Sequence, residues 1–413
     1  MLETPKGLRL HIGLFGRRNV GKSSLINALT GQDVAIVSDI PGTTTDPVEK
    51  TMEVAPIGPV VFIDTAGIDD EGQLGALRLK KTEQVLERTD VALVVIGAEG
   101  PAEDDAHLIG LLQRRKTPFC VVFNKTDIAA PAADLVDRLR REEVDIVAVS
   151  ALQGRNMGAL KEAVARLAPE GSFAEPHLVG DLLAPGDMAV LVVPIDLGAP
   201  KGRLILPQTM AIRDILDCDG AALVVKEREL AQTLAALAKK PRLVICDSQV
   251  VLKVAADTPP DIALTTFSIL MARFKADLVR LAEGAAAINR LRPGDKVLIA
   301  ESCTHHPLAD DIGRVKIPRW LRQYAGGDIV IENLSGRDFP DDLSPYALVV
   351  QCGGCMANRQ QMLARLWRAA EQGVPMTNYG VAISLVQGVL PRALECFPAA
   401  REAFDRAAAS GTA

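Results

Sequence analysis

Three cysteines stand where thiolates could share one metal centre. They are Cys303 in Glu-Ser-Cys-Thr-His-His, and Cys352 and Cys355 in Gln-Cys-Gly-Gly-Cys. The CxxC spacing lets the pair reach a common metal ion or cluster, with Cys303 delivered by a second segment. One chemistry open to this set is a zinc site of three cysteines and His305. The other is a 4Fe-4S cluster, in which three thiolates leave one iron for an exchangeable ligand, a position His305 could also fill. Far upstream, Gly16-Arg-Arg-Asn-Val-Gly-Lys-Ser has the GxxxxGK[ST] spacing. Such a loop surrounds phosphates with backbone N–H groups from Gly16 to Ser24, while Lys22 reaches the terminal phosphates and the Ser23 hydroxyl can ligate magnesium.

The apolar run before Gly16 reads as a strand and the stretch from Lys22 as a helix, which is the context the phosphate loop needs. Asp64-Thr-Ala-Gly67 follows the apolar residues 60–63. Asp64 there can hold magnesium through water, and the Gly67 N–H can sense a γ-phosphate. Asn124-Lys125-Thr-Asp127 follows a third apolar run. Its aspartate is placed to pair with the N1 and N2 donors of guanine; adenine lacks the second donor, so the motif selects GTP over ATP. Ser150-Ala151-Leu152 completes a guanine loop after a fourth run.

In this order the motifs resemble GTPases of the Era and TrmE type. The resemblance implies that Pro41-Gly-Thr-Thr-Thr-Asp46 is a first switch with Thr44 on magnesium, and that Asn19 is the residue which helps hold an activating potassium ion in some relatives. Ile68 stands where Ras-like enzymes place a water-orienting glutamine, which implies slow hydrolysis. Asp70 lies where TrmE proteins carry a catalytic glutamate, one methylene longer; alternatively Asp69, Asp70 and Glu71 form a solvated loop.

The elements that must position these residues form an α/β chain. At 413 residues it is too long for one core, and roughly 150 residues per domain predicts three. We expect a P-loop GTPase domain at 1–170, a small α/β dimerisation domain with a partly parallel sheet at 177–264, and an α/β cluster-binding domain at 265–413. The turn-rich residues 168–176 read as the first linker. Apolar positions from Phe267 to Ile288 recur every three or four residues and predict one long amphipathic helix between Thr265 and Asn289. Strands at 296–300 and 346–350 run directly into the two cysteine motifs, and ligands of open α/β sheets collect at such carboxyl ends.

Composition removes several classes. The chain has no run of about 18 apolar residues and no signal-like N-terminus, so we expect a cytoplasmic protein without a membrane span. A net charge of −6 with interspersed basic residues disfavours nucleic acid as a partner. Seven cysteines in a reducing compartment read as core residues or metal ligands rather than disulfides. Cys120 and Cys246, in apolar runs, read as core, as do Cys218 and Cys396, which have no neighbouring partner in the sequence.

The segment from Cys303 through Asp310, Asp311, Arg314, Lys316 and Arg319, followed by Cys352-Gly-Gly-Cys355, resembles the HydF-type maturation GTPases of FeFe-hydrogenases over nearly the whole chain. That resemblance implies a homodimeric scaffold carrying a 4Fe-4S cluster. Its cluster domain would receive a di-iron precursor built by two radical S-adenosylmethionine maturases and pass it to apo FeFe-hydrogenase. The family commonly has CxH followed by HCxxC; here Gln351 replaces the second histidine, which leaves the fourth cluster position exchangeable. Arg314, Lys316 and Arg319 would neutralise an anionic cargo, or else form a solvated basic face. Competing readings are an RNA-linked Era/TrmE-type GTPase with structural zinc, and a GTP-dependent iron-sulfur chaperone for another enzyme.

Overall fold

The computed structural model describes residues 6–31, 48–55, 57–65, 82–169, 177–194, 204–302, 311–336, 339–355 and 357–410. They fall into two compact units, 1–175 and 176–413.

In the first unit the short apolar runs of the central strands are buried on both faces, as parallel sheets flanked by helices require. The strands are β1 (Leu10–Phe15), β2 (Val48–Val54), β3 (Gly58–Asp64), β4 (Val91–Ile96), β5 (Phe119–Phe123) and β6 (Asp145–Ala148), in the order β2-β3-β1-β4-β5-β6. Only the edge strand β2 is antiparallel to its neighbour. The helices are α1 (Lys22–Thr30), α2 (Glu103–Arg115), α3 (Ala133–Arg141) and α4 (Met157–Leu167). Alternate residues of each strand feed separate cores on the two faces: Ile12 and Leu14 pack with Leu25 and Leu160, whereas Phe15 and Val94 pack with Leu108 and Leu135. Cys120 is fully buried, as its apolar setting predicts.

The second unit holds two four-stranded sheets. The first has strands β7 (Met188–Val192), β8 (Ala221–Val225), β9 (Leu243–Cys246) and β10 (Ala263–Thr266) in the order β10-β9-β7-β8. Each of its pairings is parallel, so the sheet is wholly parallel rather than partly so. The second has β11 (Lys296–Ala300), β12 (Val330–Leu334), β13 (Leu348–Gln351) and β14 (Met376–Asn378) in the order β12-β11-β13-β14, again parallel. Around them lie α5 (Leu206–Asp217), α6 (Leu230–Ala236), α7 (Val251–Asp257), α8 (Phe267–Lys275), α9 (Leu278–Ala285), α10 (Ile317–Ala325), α11 (Arg359–Glu371) and α12 (Tyr379–Val386). One apolar core runs through the unit, from Leu178 to Phe404. Cys246 is buried in it.

Two expectations need correction. A boundary at 264/265 would cut β10, whose Thr265 and Thr266 pair with Ile245 and Cys246 of β9. The single helix over 265–289 is two helices, α8 and α9, broken at Ala276 and Asp277. Asp277 is extended, and its carboxylate accepts the Arg280 N–H at 3.2 Å, starting α9 as an N-cap. The apolar period survives the break because both helices bury a face in the same core. Among the described residues, no helix is long and apolar enough to cross a membrane.

Candidate functional site

The glycine loop joins the end of β1 to the start of α1. A Cβ on Gly16 would lie 2.3 Å from the Val95 carbonyl oxygen, and the residue has φ +141°, so only glycine fits. Gly21 caps α1 in the left-handed region. Lys22, only 8% exposed, lies across the loop and donates from Nζ to the carbonyls of Gly16 (2.7 Å) and Arg17 (2.8 Å). Ser23 Oγ donates to Asp64 Oδ2 at 2.8 Å, bringing the first turn of α1 to the end of β3. Burial raises the Asp64 carboxyl above its ordinary value, against the opposing Ser23 hydrogen bond and Lys22 charge. This hydroxyl–carboxylate pair beside an ammonium can hold a divalent cation on a phosphate chain.

Asn124 links this loop to the guanine side. It is 3% exposed; Nδ2 donates to the Val20 carbonyl at 2.9 Å, and Oδ1 accepts the Ala151 N–H at 3.0 Å. Ser150 Oγ donates to Asp127 Oδ1 at 2.5 Å and accepts the Gln153 N–H at 3.2 Å. The Ser150 bond is the main influence holding the Asp127 carboxyl below the usual carboxylate range, which keeps it an acceptor. Lys125 adopts φ +63° and places Nζ 4.0 Å from Glu99, while Asn19 and Leu152 are exposed. Thus Gly16, Gly21, Lys22, Ser23 and Asp64 come together, as do Asn124, Asp127, Ser150 and Ala151. Thr44 and Gly67 lie outside the described residues, as do the remainder of 41–46 and of 68–71. Sequence reasoning missed Arg17, whose guanidinium donates to the Gly100 carbonyl and lies 3.5 Å from buried Asp105 on α2.

The cysteine site is built on adjacent strand ends. β11 and β13 are parallel neighbours with Ala300 opposite Gln351, so the segments leaving them emerge side by side. The Ser302 N–H donates to Cys352 Sγ at 3.2 Å, so the residue before Cys303 already touches one sulfur of the pair. Cys303, His305 and His306 themselves lie outside the described residues. Cys352 and Cys355 are not in disulfides among the described residues, and each is partly exposed. Gly354 between them has φ +62°, and a Cβ there would meet Met362 Sδ at 2.6 Å. Gln351 is fully buried and is a strut: Nε2 donates to Ser302 Oγ at 3.1 Å and to Cys352 Sγ at 3.5 Å, while Oε1 accepts from Arg365 at 3.0 Å.

Two buried cations stand at this site. Arg365, 2% exposed, also donates to the Gly336 carbonyl at 3.1 Å. Lys275, the last residue of α8 and 1% exposed, donates from Nζ to the carbonyls of Gly354 (3.0 Å), Cys355 (3.1 Å) and Ala357 (2.7 Å). Burial pulls its ammonium down to about 8, with Cys355 and Cys352 pulling the other way. The available signal was its position, four residues after Met271 and three before Leu278, on the apolar face. The basic residues of the segment after Cys303 have partners of their own or lie at the surface. Arg314 donates to Ser335 Oγ at 2.8 Å and faces Glu301 at 3.6 Å, Lys316 reaches Gln249 at 3.4 Å, and Arg319 is exposed. Partly exposed thiols, N–H donors on the Cys352 sulfur and adjacent buried cations suit a thiolate-bound, anionic cluster.

Cys218 has a partner after all. Its Sγ lies 3.5 Å from His177 Nδ1, which pairs with Asp214 Oδ1 at 3.0 Å. The other Asp214 oxygen accepts the N–H groups of Val179 and Gly180, both at 2.7 Å. With both oxygens committed, this cluster serves as a clasp that fixes residues 177–180 to α5.

Residues 178–276 match the family model of the hydrogen maturase F dimerization domain, and 279–396 match that of the hydrogen maturase F tetramerization domain, together more than half of the 413 residues. The chain belongs to the HydF family of hydrogenase maturation GTPases. The two HydF matches divide between 276 and 279, where α8 gives way to α9. Residues 11–125 match a third family model, the 50S ribosome-binding GTPase. Among curated proteins, GTPase Der of Wolinella succinogenes is 38% identical over 175 residues, covering 40% of this chain and 37% of that protein. The tRNA modification GTPase MnmE of a Synechococcus strain is 41% identical over 169 residues, covering 40% and 35%. This HydF-family chain therefore spans little more than a third of the length of those relatives. A solved structure of Aquifex aeolicus Era bound to GDP and AlF4− is 24% identical, with a TM-score of 0.36, covering 52% of this chain and 93% of that one.

Proposed function

We propose that this chain is a GTP-binding and hydrolysing carrier that holds a 4Fe-4S cluster on Cys303, Cys352 and Cys355 and delivers a di-iron precursor to apo FeFe-hydrogenase. Its proposed partners are that enzyme, the two radical S-adenosylmethionine maturases and a second copy of the chain. The observation that carries the reading is the meeting of the β11 and β13 ends, where the residue before Cys303 bonds the Cys352 sulfur, with the Cys355 thiol three positions on. When bound, the cluster would supply an iron without a cysteine ligand, open to an exchangeable group. Gln351, tied to Ser302 and Arg365, holds the Cys352 side of the site and is not a fourth ligand.

In the first unit, Lys22 is the proposed counter-charge to the terminal phosphates. Ser23 and Asp64, with Thr44, would hold magnesium, and the Gly67 N–H would report the γ-phosphate. Asn124, Lys125, Asp127, Ser150, Ala151 and Leu152 would frame guanine, with Asp127 reading its two donors. Isoleucine at 68 leaves no glutamine to orient water, so hydrolysis is slow, and Asn19 is the proposed potassium ligand.

Anaerobic reconstitution with iron and sulfide, followed by metal analysis and EPR, tests the proposal. About four irons per chain are expected, with a spectrum perturbed by added cyanide or imidazole. Replacing Cys303, Cys352 or Cys355 with serine should remove most of the iron and all hydrogenase-activating ability, with GTP hydrolysis retained. Stoichiometric zinc and no cluster under reducing conditions would overturn it.

A further inference from the structure

We infer that Lys275 is the positioning residue of the cysteine centre: its buried ammonium gathers the carbonyls of Gly354, Cys355 and Ala357 and places a fixed positive charge against the CxxC segment. The inference rests on the cluster reading above. An ammonium has three N–H donors, and Gly354, Cys355 and Ala357 supply three carbonyl acceptors within 3.1 Å. Every donor is spent on the turn that carries the thiols. A lysine this deeply buried is rare unless paired. Here the ionisable groups that favour its charged form are Cys355 and Cys352.

The arrangement has two consequences. Pulling the carbonyls of Gly354, Cys355 and Ala357 toward one point sets the shape of the CxxC turn before any metal arrives, so less ordering remains to be done on binding. A cluster held by thiolates is anionic and gains another negative charge on reduction. A cation fixed in a low-dielectric site therefore favours the reduced form, and net charge and hydrogen bonding around the sulfurs are the protein's levers on potential. Arg365 supports the same centre from the Gln351 side, through a bond to the amide rather than to the turn itself.

The test compares the full chain with its Lys275→Met and Lys275→Arg variants after anaerobic reconstitution, by iron and sulfide content and by an EPR-monitored redox titration. Lys275→Met should hold fewer clusters per chain, and those that form should have a more negative midpoint potential. Lys275→Arg should keep a potential near that of the parent. A Met variant with parental iron content and unchanged potential overturns the inference. If the Met variant does not fold, the Arg variant decides: a parental potential supports the role of charge, and a more negative one refutes it. Titration of Co2+ into the iron-free, reduced chains reads the thiol turn without any cluster. There Lys275→Met should weaken binding by about tenfold or more, the usual range for losing an outer-shell partner. Equal Co2+ affinity would overturn the inference, whereas failure of the parent chain alone to take up a cluster would refute only the proposed function.

Discussion

Replacing Asn124 with alanine should separate the two halves of the nucleotide site by removing the side chain that ties the phosphate loop to the guanine loop. Its side chain is buried and bridges the Val20 carbonyl at 2.9 Å and the Ala151 N–H at 3.0 Å. Gly21 leaves room for that bridge, since a Cβ there would lie 2.4 Å from Asn124 Nδ2. Truncation leaves one acceptor and one donor without partners, and each unsatisfied buried group costs about 1–3 kcal/mol. Partial access of water to the Ala151 loop puts the sum at roughly 2–4 kcal/mol. At 1.4 kcal/mol per tenfold, that is about a 30- to 700-fold loss of affinity if the loops relax when nucleotide leaves. Titration of a fluorescent GTP analogue gives the change in Kd, and a thermal melt of the same samples shows how much of the cost falls on the fold. A Kd within about threefold of the parent, together with an unchanged Tm, would refute the claim that Asn124 is the link between the loops.

Potassium should speed GTP hydrolysis relative to sodium at equal ionic strength, and Asn19→Ala should erase the difference; equal rates in the parent would remove that role. The second unit should also lose stability with rising pH near neutrality. The Asp214 hydrogen bond raises the His177 pKa, so the pair stabilises the fold fully below the unfolded value of about 6.5 and its contribution disappears as pH climbs through the higher folded value. The ring is half exposed, so the effect is small. Melting followed from about pH 5.5 to 8.5 should show a steeper fall for the parent than for His177→Gln, and parallel curves would discard the pair as a stabilising contact.

What the amino-acid order determined is chiefly what is local. A glycine loop between a strand and a helix, a lysine and serine at its end, and cysteines one turn apart are set by spacing, because the backbone reads such motifs within a few residues. The β-strand run Lys296–Ala300 was legible to the residue, since a continuous apolar run is best buried on both faces of a parallel sheet. The middle sheet's full parallelism was not legible, because strand direction depends on which neighbour is chosen. Periodicity could not show the break at Ala276 and Asp277 either, since two helices burying one stripe in a common core repeat the pattern of a single helix. Lys275, Arg365 and Gln351 acquired meaning only in the folded chain. Lys275 meets the carbonyls of Gly354, Cys355 and Ala357 across about 80 positions, and Asn124 joins loops that lie on both sides of it in sequence. Contacts of that separation depend on how sheets and helices pack. The spacing of residues therefore named the candidate ligands, whereas the buried charges and amides around them were decided by tertiary burial, where an unpaired polar group is too costly to leave alone.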